Sequence, residues 1–284
     1  MSAGRVVGES PSKIGAFFLY LILIVGALIS VFPVYWMFVI STQTREAAFR
    51  IPPEIIPSDQ FLINFNNALK QIMFFESMLN SLVIAVLQTV TVLLFCGLAG
   101  FAFAKYEFPL RRFLFFFVLA TLFVPQQLSL IPNYILMSKL GWINSFKAIV
   151  VPGMVNAFGI FWMRQYIMSA VSTELIEAGR IDGCSHFRIF WNIVVPIITP
   201  ALATLGIFTF MNSWNDFMWP LVILKSQDKF TIQITLQQLF NIREGYDYGK
   251  IMSATFVATL PLIVVFFMFS RWFISGLTSG AVKS

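Results

Sequence analysis

The chain has 284 residues, of which 58% are apolar and 17% aromatic, whereas only 11% are charged. Soluble domains carry about 25% charged residues, so this composition excludes an ordinary soluble protein and indicates an integral membrane protein. The net charge of +6 does not indicate a nucleic-acid binder, because the basic residues flank apolar runs and form no continuous stripe.

Six apolar segments are long enough to predict membrane-spanning helices. They cover about residues 14–40, 78–103, 113–134, 148–166, 197–224 and 251–274, and they predict an all-α transmembrane domain over residues 14–274. Residues 1–13 and 275–284 are predicted to be short tails. The first apolar run is longer than the core of a cleavable signal, so we expect it to be retained.

An even number of spans places both termini on one side of the membrane. Counting Lys and Arg by compartment does not decide which side that is. The short turn at 104–112, with three basic residues against Glu107, favours the cytoplasm because short loops follow the positive-inside rule most closely. We therefore expect a multi-pass protein of the cell membrane with both tails in the cytoplasm.

The third predicted span contains two prolines, Pro125 and Pro132, and several amide side chains. Prolines free backbone carbonyls inside a helix, and these groups need protein or water beside them in a membrane. The sequence therefore predicts an irregular third helix next to a polar environment.

A polar stretch at about 170–196 separates the fourth and fifth predicted spans. It predicts a helix, a tight turn at Gly183, and a second short helix that Pro196 ends because proline lacks a backbone donor. Apolar residues repeat at helical spacing, at Leu175, Ala178 and Gly179 before the turn and at Phe187, Phe190 and Val194 after it. Such a helix-turn-helix is either a docking element for a soluble partner or an ordinary amphipathic loop.

This stretch resembles the EAA loop of ABC importer permeases, whose pattern is Glu-Ala-Ala, a glycine, and Ile-x-Leu-Pro. The matching residues are Glu177, Ala178, Gly183, Ile193 and Pro196, with Gly179 in place of an alanine and Val195 in place of leucine. Shorter fragments resemble the MalG-like carbohydrate branch of that family, among them Leu79-Asn80-Ser81, Ala102-Phe103-Ala104-Lys105-Tyr106, Trp214-Asn215-Asp216-Phe217 and Gly280-Ala281-Val282-Lys283.

The resemblance implies a permease subunit of an ATP-driven importer for a sugar or oligosaccharide, with the EAA loop as its cytoplasmic coupling element between helices four and five. It implies three kinds of partner: a second related permease, two ATPase subunits and an extracytoplasmic solute-binding protein. The residues expected to couple to an ATPase are Leu175, Glu177, Ala178, Gly179, Asp182, Gly183, Phe187, Phe190, Ile193 and Pro196. Leu175, Phe187 and Phe190 are the candidates for the buried contact, and residues 280–283 are expected to reach the ATPases too.

The sequence contains no catalytic set. Gly249-Lys250 is superficially similar to a phosphate-binding loop, but Glu244 and Ile251 stand where that motif needs glycine and Ser or Thr. ATP and Mg²⁺ are therefore expected on the partner ATPases and not on this chain. Cys96 and Cys184 lie at different predicted depths, so neither a disulfide nor a metal site is expected. The single histidine, His186, is interpreted as a hydrated surface residue.

Polar residues inside the predicted spans are candidates for a translocation path, because membrane-embedded polar groups usually face a cavity or another helix. The candidates are Asn212, Trp214, Asn215 and Asp216 on the fifth span and Gln126 and Gln127 on the third. Amides and carboxylates bind sugar hydroxyls, and aromatic faces bind sugar C–H groups. An interfacial aromatic belt explains the fifth-span group equally well, and helix-to-helix hydrogen bonds explain the third-span amides.

Three other functions are alternatives to a sugar permease. A permease of the same family for glycerol phosphate or a polyol would have the same motifs. A stand-alone secondary transporter would be expected to show internal repeats, which the six spans lack. A membrane-embedded sugar transferase would need an acidic or histidine cluster, and only Asp216 lies within a span.

Overall fold

The computed structural model describes residues 13–240 and 245–278, apart from the side chains at 13, 14, 126 and 272–278. These residues form helices and connecting turns, with no strand among them. The helices are α1 Lys13–Ser41, α2 Phe61–Leu69, α3 Phe74–Lys105, α4 Arg111–Ala120, α5 Leu130–Lys139, α6 Lys147–Val150, α7 Ala157–Ala170, α8 Thr173–Ile181, α9 His186–Ile189, α10 Val195–Asn215, α11 Met218–Ile223, α12 Ile232–Gln237 and α13 Tyr248–Thr278. The predicted tail contact at 280–283 lies outside the described residues.

Four helical segments of the described chain are long and apolar enough to cross a membrane. They are Gly15–Ser41, Phe74–Lys105, His186–Asn215 and Tyr248–Arg271, and a fifth crossing results if the bent pair Arg111–Phe123 and Gln127–Lys139 is one span. The first, second and sixth predicted spans agree with α1, α3 and α13 to within four residues at each end. The chain is thus an all-α membrane protein.

Three predicted spans are not the single helices that the sequence suggested. The third bends by 93° at Val124-Pro125, because Pro125 has no N–H to continue the helical bonds. The fourth is divided into α6 and α7, and α7 begins where the Asn156 side chain accepts a hydrogen bond from Gly159 N at 2.7 Å. The fifth stops at Asn215, and α11 begins at Met218 after a two-residue break.

One compact unit contains the described residues up to 70 together with 245–257. The Asn64 amide fixes the chain after α1 by donating to Ser41 O at 2.9 Å and to Gln43 O at 2.8 Å. None of the described side chains from residue 15 to 38 is buried. Since that part of α1 is almost wholly apolar, it needs lipid or another subunit around it.

The second unit contains residues 71–240 and 258–278 of the described chain, and α3, α7 and α10 form its core. Glycines bring these helices into close contact, as is common in membrane proteins. A Cβ built on Gly100 of α3 would lie 2.6 Å from Met163 Cβ, and one on Gly159 of α7 would lie 2.8 Å from Cys96 Sγ. Only glycine fits at these two positions.

We expect Gly100→Ala to destabilise the helical core by about 1–3 kcal/mol, because the added methyl group overlaps the α7 backbone and cannot be relieved by a side-chain rotation. Gly206→Ala is the matched control, since its Cβ would lie 3.5 Å from Leu93 Cδ1 in ordinary contact. Thermal unfolding in detergent, followed by size-exclusion chromatography, measures both. Equal midpoints for the two variants would contradict the role of Gly100 in close helix packing.

Candidate functional site

The hairpin, which we define as residues 172–189, consists of α8, a turn and α9. Each of its helices has a serine at the N-cap: Ser172 Oγ accepts from Leu175 N and Ser185 Oγ accepts from Arg188 N, both at 3.4 Å. The pKa of the Glu174 carboxyl lies below its usual value, because its own backbone N–H and then the Ser172 hydroxyl stabilise the ionised form. The hairpin is therefore an ordered element.

The turn of the hairpin is fixed by backbone hydrogen bonds. Gly183 has a φ of +75°, which costs an L-residue free energy and is readily adopted by glycine. Gly183 N donates to Arg180 O at 3.0 Å and Cys184 N donates to Gly179 O at 2.9 Å, the two bonds of a Schellman motif. The turn position thus requires glycine for its conformation, whereas the space around it is open.

One face of the hairpin packs against the start of the following long helix. Ile176, Ile189 and Gly179 are buried, and a Cβ on Gly179 would lie 3.0 Å from Ile193 Cδ1 and 3.3 Å from Ile189 Cγ1. The glycine at the position where the EAA pattern has alanine therefore accommodates two isoleucines. The predicted residues Gly179 and Ile193 form the inner support of the hairpin.

The opposite face of the hairpin is exposed and partly apolar. Leu175 is 44%, Ile181 87% and Phe187 67% exposed, and Glu177 and Asp182 lie on the exposed surface with them. Ile181 was missed by the sequence reasoning, although a large apolar residue directly before the Asp182-Gly183 turn was a usable signal. This exposed surface, which we call the outer face, carries large apolar side chains beside charged ones, and exposed apolar residues of this kind mark interaction sites.

Two residues of the predicted coupling set have other roles. Phe190 is buried, with its ring centroid 5.6 Å from that of Phe101, so the prediction that it contacts a partner is wrong. Pro196 does not end the second helix, because the chain is helical without interruption from His186 to Asn215. A π-helical turn at Phe190–Val194 precedes the proline, and its wider hydrogen-bond spacing absorbs the missing donor.

His186 is not merely a hydrated surface residue, as the sequence interpretation had it. Its Nδ1 lies 2.8 Å from the hydroxyl of Tyr106, at the end of α3, and the two rings meet edge to face. The Arg180 guanidinium lies 5.2 Å from the centre of the same tyrosine ring. Tyr106 therefore ties both helices of the hairpin to the end of a membrane-spanning helix.

A cavity of about 960 Å³ lies between α3, α5, α7, α10 and α11, a volume within the usual range for a binding site. Amide and carboxyl side chains line it, namely Gln88, Gln127, Asn133, Asn156, Asn212 and Asp216. Phe158 and Trp219 supply aromatic surface, and Trp219 is held in place because its Nε1 donates to Ala148 O at 2.9 Å. The described lining residues include no Lys or Arg.

The cavity brings together only part of the predicted path. Gln127, Asn212 and Asp216 line it, but Trp214 is buried elsewhere and donates from Nε1 to Ala258 O at 3.2 Å. Assigning Trp214 to the path is therefore wrong. Asn215 also lies outside the lining and donates from its side chain to Met211 O at 2.9 Å. The side chain of Gln126 lies outside the described residues.

The family model of the binding-protein-dependent transport system inner membrane component matches residues 2–278 of the chain. The chain belongs to this family. It is therefore the permease, that is, the membrane component of such a transporter, and not its ATPase. Transporters of this kind work with a binding protein and an ATPase, so the permease is one part of a membrane-embedded complex.

Known relatives extend over nearly the whole permease. It is 36% identical over 264 residues to the arabinooligosaccharides transport system permease protein AraQ of Halalkalibacterium halodurans, which covers 90% of this chain and 92% of that protein. It is 31% identical over 267 residues to the sn-glycerol-3-phosphate transport system permease protein UgpE of Shigella flexneri, with coverage of 92% and 95%.

The fold has a close solved counterpart. It is similar, with a TM-score of 0.79, to a chain in the crystal structure of a bacterial ABC transporter involved in the import of the acidic polysaccharide alginate. The likeness covers 93% of this chain and 99% of that one, at 24% identity. At that identity it shows that the helices described above form an ABC permease fold.

Proposed function

We propose that the permease imports a sugar or oligosaccharide through the polar cavity, driven by an ATPase that docks on the outer face of the hairpin. The observation that carries this proposal is the placement of the hairpin. It lies at one end of the continuous helix His186–Asn215, whose other end supplies Asn212 to the cavity. Movement of a docked ATPase would then be transmitted to the cavity as rigid-body motion.

The remaining parts of the transporter follow from the same proposal. A second related permease would cover the exposed surfaces of this one, two ATPase subunits would bind ATP and Mg²⁺, and an extracytoplasmic binding protein would deliver the solute. The hairpin and both termini would then face the cytoplasm, with six crossings between them. The coupling surface consists of Leu175, Ile181 and Phe187 with Glu177 and Asp182, all of them exposed.

The chemistry of the cavity favours a neutral sugar over glycerol phosphate. Amide side chains such as Asn212 and Gln127 bind hydroxyl groups, and the Trp219 ring can bind the C–H face of a sugar. A phosphate group would require a cationic partner, whereas the described lining has no Lys or Arg and includes the Asp216 carboxyl. One relative, AraQ, is named for arabinooligosaccharides and another, UgpE, for sn-glycerol-3-phosphate, so the choice between the two rests on the cavity.

Reconstitution tests the proposal. The permease, its partner permease and the ATPase are placed in liposomes, and the cognate binding protein is first screened by thermal shift against oligosaccharides, polyols and glycerol phosphate. We expect an oligosaccharide to stabilise the binding protein and to be taken up only when ATP reaches the ATPase. Uptake of glycerol phosphate would show that the solute is glycerol phosphate and not a sugar. Uptake without the ATPase would identify a secondary transporter and refute the proposal.

A further inference from the structure

A second cavity, of about 920 Å³, lies where the turn between α3 and α4 faces α7, away from the polar cavity. Three arginines, Arg111, Arg112 and Arg164, line it together with the aromatic rings of Phe113, Phe115 and Phe116. Neither the hairpin nor the translocation path uses these residues. We call this site the arginine cavity.

Two of the guanidinium groups are held close together by one backbone oxygen. Arg111 Nε and Arg164 Nε both donate to Phe103 O, at 3.0 and 3.3 Å. The Arg164 guanidinium also lies 4.1 Å from the centre of the Phe115 ring, which is a cation-π contact. These contacts orient Arg164 from two sides, so a ligand would meet a largely prearranged guanidinium.

The arginine cavity has an excess of positive charge. Glu107 pairs with Arg111 through a salt bridge. Arg112 and Arg164 have no carboxylate partner in the described part of the chain, and Arg164 instead donates to the neutral Gln165 Oε1 at 2.9 Å. Three guanidiniums against one carboxylate leave a net charge of +2 along the lining. An anion bound there would relieve the mutual repulsion of the arginines.

The surroundings of the arginines are apolar and lie at a membrane boundary. The cavity is at the end of α3, where a 32-residue apolar helix finishes at Lys105, and at the start of the apolar helix α4. Phe113 is 63% and Phe116 57% exposed, and Leu110 is 70% exposed. A soluble anion bound there would leave this apolar rim exposed, whereas the acyl chains of a lipid would bury it. Positive charge at headgroup depth beside exposed aromatic rings therefore favours a ligand that has both an anionic group and apolar chains.

We propose that the arginine cavity binds the phosphodiester headgroup of an anionic phospholipid, with the acyl chains against Phe113 and Phe116. Basic pockets between membrane helices bind such headgroups because arginine presents paired donors to phosphate oxygens. Arg112 and Arg164 are the principal ligands, because Arg111 is already paired with Glu107. The site is independent of the transported solute and of the hairpin, so it stands or falls separately from the proposed function.

The test compares lipid retention by two double variants of the full-length permease purified in detergent. Arg112→Gln/Arg164→Gln removes two charges from the cavity. Lys139→Gln/Lys147→Gln removes two exposed charges near other helix ends and serves as the control. Native mass spectrometry measures the retained phosphatidylglycerol and phosphatidylcholine. We expect phosphatidylglycerol affinity to fall about fivefold for each arginine removed, with phosphatidylcholine unchanged and the control behaving like the parent protein.

Two single variants and a phosphate competition separate loss of lipid binding from loss of the fold and from simple anion binding. Arg112→Gln alone changes an exposed side chain and should retain the fold while showing the single fivefold loss. Arg164→Lys keeps the charge but not the paired donors, so it should give an intermediate loss. Displacement of phosphatidylglycerol by an equal concentration of inorganic phosphate would overturn the proposal in favour of a simple anion site. Unchanged phosphatidylglycerol retention by Arg112→Gln/Arg164→Gln would also overturn it, and an accompanying loss of ATPase co-purification would make the cavity a protein contact.

Discussion

Gly183→Pro is expected to abolish uptake and ATPase attachment while the permease still inserts into the membrane. Proline fixes φ near −65°, whereas the turn requires +75° at this residue. The substitution also removes the N–H that donates to Arg180 O at 3.0 Å. The turn must therefore open, and Leu175 on α8 and Phe187 on α9 can no longer form one surface. Co-purification of a tagged ATPase with the variant measures the attachment.

Two variants separate the hairpin from general damage to a turn. Gly141→Pro is matched, because Gly141 has a φ of +67°, open space around it, and an N–H that donates to Ser138 O at 3.0 Å. Because Gly141 lies in the turn after α5, Gly141→Pro should lower the stability of the protein by a similar amount and leave the ATPase attached. Gly183→Asn should retain attachment, since asparagine tolerates a left-handed conformation. Normal ATPase recovery with Gly183→Pro would refute the proposal that the ATPase docks on the hairpin.

Asp216→Asn combined with Asn212→Ala is expected to raise the solute concentration for half-maximal uptake by about tenfold or more, as for lost hydrogen bonds to a charged group. Both side chains line the polar cavity. Asparagine keeps the acceptor that Asp216 Oδ1 offers to Trp219 N at 3.4 Å, so α11 should remain in place. Radiolabelled uptake in proteoliposomes gives the half-maximal concentration.

The neighbouring residue supplies the control for the cavity. Asn215→Ala removes an amide of the same kind only one residue from Asp216, but outside the cavity lining. Its uptake should match that of the parent protein. The ATPase should co-purify normally with every one of these variants, because none of them changes the hairpin. If uptake by the double variant equals that of Asn215→Ala, the cavity is not the route of the solute.

Local features of this fold could be predicted from sequence. The Gly183 turn and the two helices beside it follow from a glycine between two apolar repeats. The polar residues of the fifth span that line the cavity, Asn212 and Asp216, were detectable because amides and carboxylates are costly inside a membrane. The bend in the third span was also indicated, since Pro125 interrupts the helical hydrogen bonds.

Contacts between distant parts of the chain could not be predicted in this way. Phe190 looked like a surface residue of an amphipathic helix, but its buried partner Phe101 lies 89 positions earlier in the chain. Trp214 is turned away from the cavity by a hydrogen bond to Ala258 O, 44 residues away. Likewise His186 meets Tyr106 across 80 residues. Spacing within one helix carries no information on such tertiary partners.

In the proposed mechanism, the uninterrupted helix from His186 to Asn215 acts as a lever. Its 30 residues amount to a rod about 45 Å long at 1.5 Å per residue. With one end fixed to the hairpin, a tilt of about 5° would carry the far end sideways by about 4 Å, roughly the spacing of neighbouring atoms in contact. A small tilt of the helix at the hairpin would thus give a displacement large enough to open or close a passage beside Asn212.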